Sequence, residues 1–351
     1  MSTPPERPSP RRSTVVFLGV SLVVAVVVVA LSLGSIGSVS NRGGAAPTTP
    51  ASITDSTQAT PTDVPSTSGT SSGSPTPTAP PTQSSIPAVV AAVESARRGA
   101  PIPAHLIPPL GDIRYDQYPP IPNCWGMRNE PGHLAKCSLF TSGSRGTIVL
   151  IGDSHGRSWL TPLSWMARRN GWTVVPLWHP GCWPAAYFAN GECETFARWA
   201  GKQVRVLRPD VVLVAGNFPY GNSRSIPKTT DGVAGLFSTI RPFARHVILI
   251  GDPPSLRFDP TACLSAPHST LRTCTATLLP AQVAAYEAAG AAAMRAGGGF
   301  IDTAGWFCFD KECPAVVGRT VTHRVKDHIT HSYGATLVEL FRSAFRRTLS
   351  E

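Results

Sequence analysis

The chain predicts an α/β fold, a central parallel sheet covered by helices on both faces, and three observations predict it. Short apolar runs rich in Val and Ile recur along its C-terminal two thirds: Thr147 to Ile151, Trp172 to Leu177, Val211 to Ala215 and His246 to Ile250. Each ends in a glycine-containing turn, at Gly152, Gly181, Gly216 and Gly251. Helical patterns fall between them, notably Ser158 to Arg169, Thr195 to Leu207 and Pro280 to Ala296. Strands that alternate with helices imply βαβ units and a parallel sheet.

Before this region the chain has a different character. Residues 1–14 carry Arg7, Arg11 and Arg12, and Val15 to Leu33 follow with no charged side chain. At the helical rise that run covers roughly 28 Å, close to the thickness of a bilayer's hydrocarbon core. The arginines before it orient residues 1–14 to the cytoplasm and everything after Leu33 to the outside. A cleaved signal peptide is the rival reading. The length of the run, greater than that of a usual signal core, favours an uncleaved anchor at 15–33. Residues 34–87 are mostly Ser, Thr, Pro, Ala and Gly, with few large apolar groups. Such a segment cannot offset its ordering entropy by burial, so it is expected to be a disordered tether. A domain with its lead-in is expected over 88–351.

All eight cysteines lie in that domain: Cys124, Cys137, Cys182, Cys193, Cys263, Cys274, Cys308 and Cys313. An even number beyond an export signal implies disulfides; of the many connectivities that eight cysteines allow, sequential pairing is the simplest, since it closes the shortest loops. Zinc is the alternative, but no tight Cys-x-x-Cys or Cys/His cluster supports it. Neither a metal nor an organic cofactor is indicated. The formal charge of +10 raises the question of nucleic acid. The expected external location and the scattered basic residues, without aromatic interleaving, argue against it. Attraction to an anionic envelope polymer is a simpler use of the excess charge.

The candidate chemistry starts at Gly152-Asp153-Ser154-His155, where a buried strand stops and a helix begins. Strand carboxyl ends are where open α/β sheets bind ligands, and a serine opening a helix has free backbone N–H groups to meet an anion. Ser154 is a candidate nucleophile, although Asp and Ser are also common helix caps. Asn217, after the third strand, is placed to donate its amide to an oxyanion. Gly181, after the second, is placed to offer a backbone N–H. Near the C-terminus Asp327-His328-Ile329-Thr330 precedes Tyr333 and an amphipathic helix running to about Leu349. A serine hydroxyl needs a base to accept its proton, and imidazole titrates near enough to neutrality to serve.

Together these blocks resemble the SGNH (GDSL-like) hydrolase superfamily, most closely the SGNH domain associated with acyltransferase-3 membrane proteins. Gly152-Asp153-Ser154-His155 is similar to the nucleophile block, Gly216-Asn217 to the asparagine block, and His328-Ile329-Thr330 with Tyr333 to the histidine block. The segments Pro103 to Leu110 and Cys313 to Gly318 also match that domain, so the likeness covers roughly 95–348. It implies a three-layer, flavodoxin-like sandwich and acyl transfer through a serine ester. Ser154 would be the nucleophile, His328 the base, and the Ser154 and Gly181 N–H groups with the Asn217 amide the oxyanion hole.

One position departs from the pattern. The family usually has Asp three residues before the histidine, where this chain has Val325. Asp327 is the neighbouring carboxylate and the candidate third member, although adjacent side chains in an extended segment point to opposite faces. A Ser–His dyad is the alternative. The expected function is an extracytoplasmic, membrane-anchored O-acyltransferase or esterase acting on envelope carbohydrate. A transferase would draw acyl groups from a separate membrane acyltransferase partner. The competing expectation is an inactive SGNH-fold glycan-binding or partner protein.

Overall fold

A computed structural model describes residues 86–129, 132–185, 191–219 and 225–350. The expected anchor at 15–33 and nearly all of the expected tether lie outside the described residues. No helix among the described residues is long and apolar enough to cross a membrane.

The first helix is α1, Pro87–Arg97, and α2 is His133–Cys137. Strand β1, Gly146–Gly152, leads into α3, Ser154–Ser158, and α4, Leu160–Asn170. Then come β2, Trp172–Trp178, α5, Glu192–Leu207, β3, Val211–Ala215, and α6, Ser225–Ile240. They are followed by β4, His246–Ile250, α7, Pro260–Ser265, β5, Thr275–Thr277, α8, Pro280–Arg295, and β6, Gly299–Ile301. Short strands β7, Glu312–Pro314, β8, Val316–Val317, β9, Thr320–Val321, β10, His323–Val325, and β11, His328–Ile329, precede α9, His331–Thr336, and α10, Val338–Ser350.

Five strands form a parallel sheet in the order β2-β1-β3-β4-β6. The chain order reverses on either side of β1, which makes the gap between β1 and β3 the switch point where such sheets bind ligands. Alternate residues of each strand feed two separate cores. Ile148, Leu150, Val211, Leu213, Ile248 and Ile250 pack with α1, α4 and α10. Val149, Ile151, Val212, Val214, Val247 and Leu249 pack with α5, α6 and α8. Both faces are therefore apolar, and this explains why the strands read as unbroken Val/Ile runs rather than alternating ones.

Three elements differ from the sequence expectation. The stretch from Ser158 to Arg169 belongs to two helices, α3 and α4, because the first helix ends within about a turn and a half of Ser154. The histidine block carries a short helix of its own, α9, ahead of the expected C-terminal helix, α10. The fifth sheet strand, β6, is three residues long and begins at a glycine, too short for an apolar run to announce it. The four disulfides are the sequential pairs Cys124–Cys137, Cys182–Cys193, Cys263–Cys274 and Cys308–Cys313. Such bonds persist in oxidising compartments, which places the domain outside the cytoplasm.

Candidate active site

The site is built on the carboxyl ends of β1, β3 and β4. Asp153 is extended and caps α3: its Oδ1 accepts from the backbone N–H groups of His155 at 2.8 Å and Gly156 at 3.3 Å. Its Oδ2 accepts from the Asn217 N–H at 2.9 Å. One carboxylate, 3% exposed, thus ties the turn after β1 to the turn after β3. Asp153 does the capping, and Ser154, the first residue of α3, is left partly exposed with its hydroxyl outside that cap.

This clasp needs close backbone approach. A Cβ on Gly152 or Gly156 would come within 2.8 or 2.9 Å of the Ala215 carbonyl oxygen, so both glycines are required for α3 to sit down on the end of β3. Behind Asn217, Gly216 faces the Trp183 ring, where a Cβ would meet Cε3 at 2.5 Å.

The second half of the site is carried by the β10–β11 hairpin, and α3 packs against β11. Nδ1 of His328 donates to Oδ1 of Asp327 at 2.7 Å. The opposite-face expectation for these neighbours fails because Lys326 and Asp327 form the turn of the hairpin rather than extended strand. Burial by itself would raise the Asp327 carboxyl. The hydrogen bond and charge of His328, with His155 and Lys326, outweigh it and hold the group below its ordinary value. Val325 pairs across the hairpin with His328. The position where the family carries its aspartate therefore stands opposite the same histidine.

Thr330 and Tyr333 hold this hairpin in place. The Thr330 hydroxyl donates to the Val321 carbonyl at 2.6 Å and accepts from the Tyr333 N–H at 3.0 Å, capping α9. The Tyr333 hydroxyl donates to the Trp306 carbonyl at 2.5 Å.

A second histidine–carboxylate pair lies beneath the first and was not expected from the sequence. Nδ1 of His155 donates to Asp252 Oδ1 at 2.7 Å, and Asp252 Oδ2 accepts from the Phe218 N–H at 3.0 Å. The rings of His155 and His328 are 4.5 Å apart, centre to centre. Burial alone would lower the His155 imidazole, but the Asp252 charge and hydrogen bond, then Asp153 and Asp327, raise it to about 9. The same burial raises the Asp252 carboxyl, with the charge and hydrogen bond of His155 opposing it, so the pair holds its shared proton tightly. The one available signal was Asp252 itself, a carboxylate just beyond an apolar strand and its glycine.

Gly181 lies in a left-handed turn after β2, at φ +73°. That turn is joined to the end of β1 through the His179 N–H, which donates to the Gly152 carbonyl at 3.0 Å. Among the described residues His155, Asp327 and His328 bring one potential metal-ligand atom each within 4.8 Å of one another. Both Nδ1 atoms already serve carboxylates, which leaves the Nε2 atoms of the two rings for other partners. A cavity of about 690 Å³ opens beside the cluster, reached by His155, Asn217, Asp252 and Asp327, with Leu278 and Val283 among its apolar walls.

Residues 123–343 match the model of the SGNH domain (fused to AT3 domains). No curated protein sequence matches the chain. Among solved structures, it is similar to the periplasmic domain of a lipopolysaccharide acetyltransferase from Salmonella ser. Paratyphi A. The identity is 16% over 67% of this chain and 94% of that one, with a TM-score of 0.53. A weaker likeness is to Axe2, an acetylxylan esterase from Geobacillus stearothermophilus, at 13% identity over 60% and 96% of the two chains and a TM-score of 0.36. At these identities the first likeness speaks to fold alone, and the second carries no argument. The family match covers well over half of the chain, including the Ser154, Asn217 and His328 blocks, and the chain belongs to the family of SGNH domains of the kind fused to AT3 domains.

Proposed function

We propose that this protein is an extracytoplasmic serine acyl-transfer enzyme, anchored by Val15 to Leu33, that acts on O-acyl groups of cell-envelope carbohydrate. The observation that carries the proposal is the His328 imidazole held at Nδ1 by Asp327 at 2.7 Å, on a strand packed against the helix that Ser154 opens. A histidine so oriented turns its other nitrogen outward as a base.

In this reading His328 takes the Ser154 hydroxyl proton as Oγ attacks the acyl carbonyl carbon. Asp327 stabilises the imidazolium that forms. The oxyanion is met by the Ser154 and Gly181 N–H groups and the Asn217 amide. Collapse breaks the ester bond, and the departing alkoxide takes the proton from His328. A water or a carbohydrate hydroxyl then gives its proton to His328 and attacks the acyl-serine, and collapse releases an acid or a new ester as His328 returns the proton to Ser154 Oγ. Transfer rather than hydrolysis would draw acyl groups from a separate membrane acyltransferase.

The test is to incubate the purified full chain with p-nitrophenyl acetate and measure intact mass, wild type beside Ser154→Ala. The expected result is an acetyl adduct on Ser154 in the wild type alone. A folded, oxidised wild type that acquires no adduct would reject the enzyme reading in favour of a glycan-binding SGNH domain.

A further inference from the structure

We propose that Arg157 and Arg324 form an anion-recognising subsite beside Ser154, so that the substrate carries a carboxylate or phosphate close to the reacting ester. The inference rests on the assignment of Ser154 as nucleophile and goes beyond it by naming the substrate's charge.

Ser154, Arg157 and Arg324 line one small cleft of about 20 Å³, together with Gln117, Thr161 and His331. Arg157 lies one turn after Ser154 on α3, on the same face. Arg324 lies on β10, beside the Val325 that pairs with His328. The elements that carry the nucleophile and the base therefore also carry the two cations.

Both arginines are partly buried, and the ties of Arg157 are to uncharged groups. Arg157 donates to the Tyr118 carbonyl at 2.7 Å and to Gln117 Oε1 at 3.3 Å, and its guanidinium lies 5.3 Å from the centre of the Trp178 ring. Among the described residues no carboxylate comes within ion-pair distance of either. The one carboxylate whose charge acts on Arg324, Asp327, is engaged by His328 at 2.7 Å. Burial lowers the proton affinity of both guanidinium groups. The like charge of Arg157 lowers Arg324 further, and Asp327 opposes this only in part.

Two neighbouring cations, partly desolvated and with only the more distant Asp327 charge to offset them, are unfavourable in the empty protein and become favourable when an anion sits between them. The guanidinium fork suits the planar carboxylate and the tetrahedral phosphate. The charge has two chemical sources: the far end of a dicarboxylic acyl group, or a phosphate or uronate on the acceptor glycan.

Binding is measured by isothermal titration on the full chain carrying Ser154→Ala, so that turnover plays no part. Monomethyl succinate against methyl acetate probes the acyl source, and glucose 6-phosphate against glucose probes the acceptor. We expect the charged member of one pair to bind at least about tenfold more tightly, with affinity falling as salt rises. Arg157→Gln and Arg324→Gln should each remove that preference, and Arg324→Lys should keep part of it, which separates lost charge from misfolding. The pair that shows the preference identifies the source. Equal binding of charged and neutral members, or a preference that survives Arg157→Gln with Arg324→Gln, would overturn the subsite. Charge-selective binding in a protein that forms no acetyl adduct would sink the nucleophile assignment and leave the subsite standing. An adduct without charge selectivity would do the reverse.

Discussion

Asp327 and His328, consecutive in the chain, are bonded through their side chains, Oδ1 to Nδ1 at 2.7 Å. The bond exists because the hairpin turns at Lys326–Asp327, which brings the carboxylate around to the face of the residue that follows. The usual aspartate position, Val325, is opposite the same histidine across the hairpin. Two different backbone positions thus address one imidazole, and this chain fills the turn position.

Loss of that carboxylate should impair catalysis without unfolding the protein. Asp327→Asn is expected to lower kcat/KM for p-nitrophenyl acetate by about 10²-fold or more, the range of a mis-set general base. Val325→Asp added to Asp327→Asn should restore part of the rate from across the hairpin. Full activity in Asp327→Asn alone would show that His328 needs no carboxylate.

The His155–Asp252 pair predicts an alkaline limb in stability. The folded value of His155, about 9, lies above its ordinary 6.5. Its contribution is thus complete below about pH 6.5 and lost as pH rises through about 9. A thermal midpoint followed from pH 6 to 9.5 should fall in the wild type and flatten in His155→Gln. Asp252→Asn, which removes the carboxylate partner of a buried imidazole, should cost about 3–5 kcal/mol at neutral pH. An unchanged slope in His155→Gln would assign the titration elsewhere.

Gly216→Ala tests the packing behind the asparagine turn. Its Cβ would lie 2.5 Å from Trp183 Cε3, so the ring or the turn must move. Overpacking of this kind costs about 1–3 kcal/mol, read from urea unfolding. The same shift should displace Asn217 and raise the activation barrier more than it lowers stability. Wild-type stability and turnover in this variant would mean that Trp183 yields freely.

Thr330→Ala removes both the cap of α9 and the partner of the Val321 carbonyl, an expected loss of about 1–3 kcal/mol. Tyr333→Phe, which deprives the Trp306 carbonyl of its donor, should cost about 1–2 kcal/mol. Denaturant midpoints check both, and a neutral Thr330→Ala would show that β11 is held without it.

Much of the architecture was legible in the chain because its signals are local. Unbroken Val/Ile runs that end in glycine mark doubly buried parallel strands, and four of the five sheet strands were found in that way. The sequential disulfides follow from short separations. Ser154, Asn217 and His328 were legible as polar groups placed just past apolar runs or just before a terminal helix. The β6 strand was not, since its place in the sheet comes from pairing with β4 rather than from any pattern of its own.

By itself the sequence determined the layer order and the blocks that form the site, both of which depend on periodicity and spacing within short windows, and it favoured the sequential cysteine pairs that the structure selects. Only the tertiary structure decided how the blocks meet. It assigned Asp153 to the backbone clasp, turned Asp327 onto His328, set the His155–Asp252 pair beneath that histidine, and gathered two arginines beside Ser154. These relationships join residues far apart in the chain, or hinge on one turn's dihedral angles. They arise only when the strand ends converge at the switch point of the sheet.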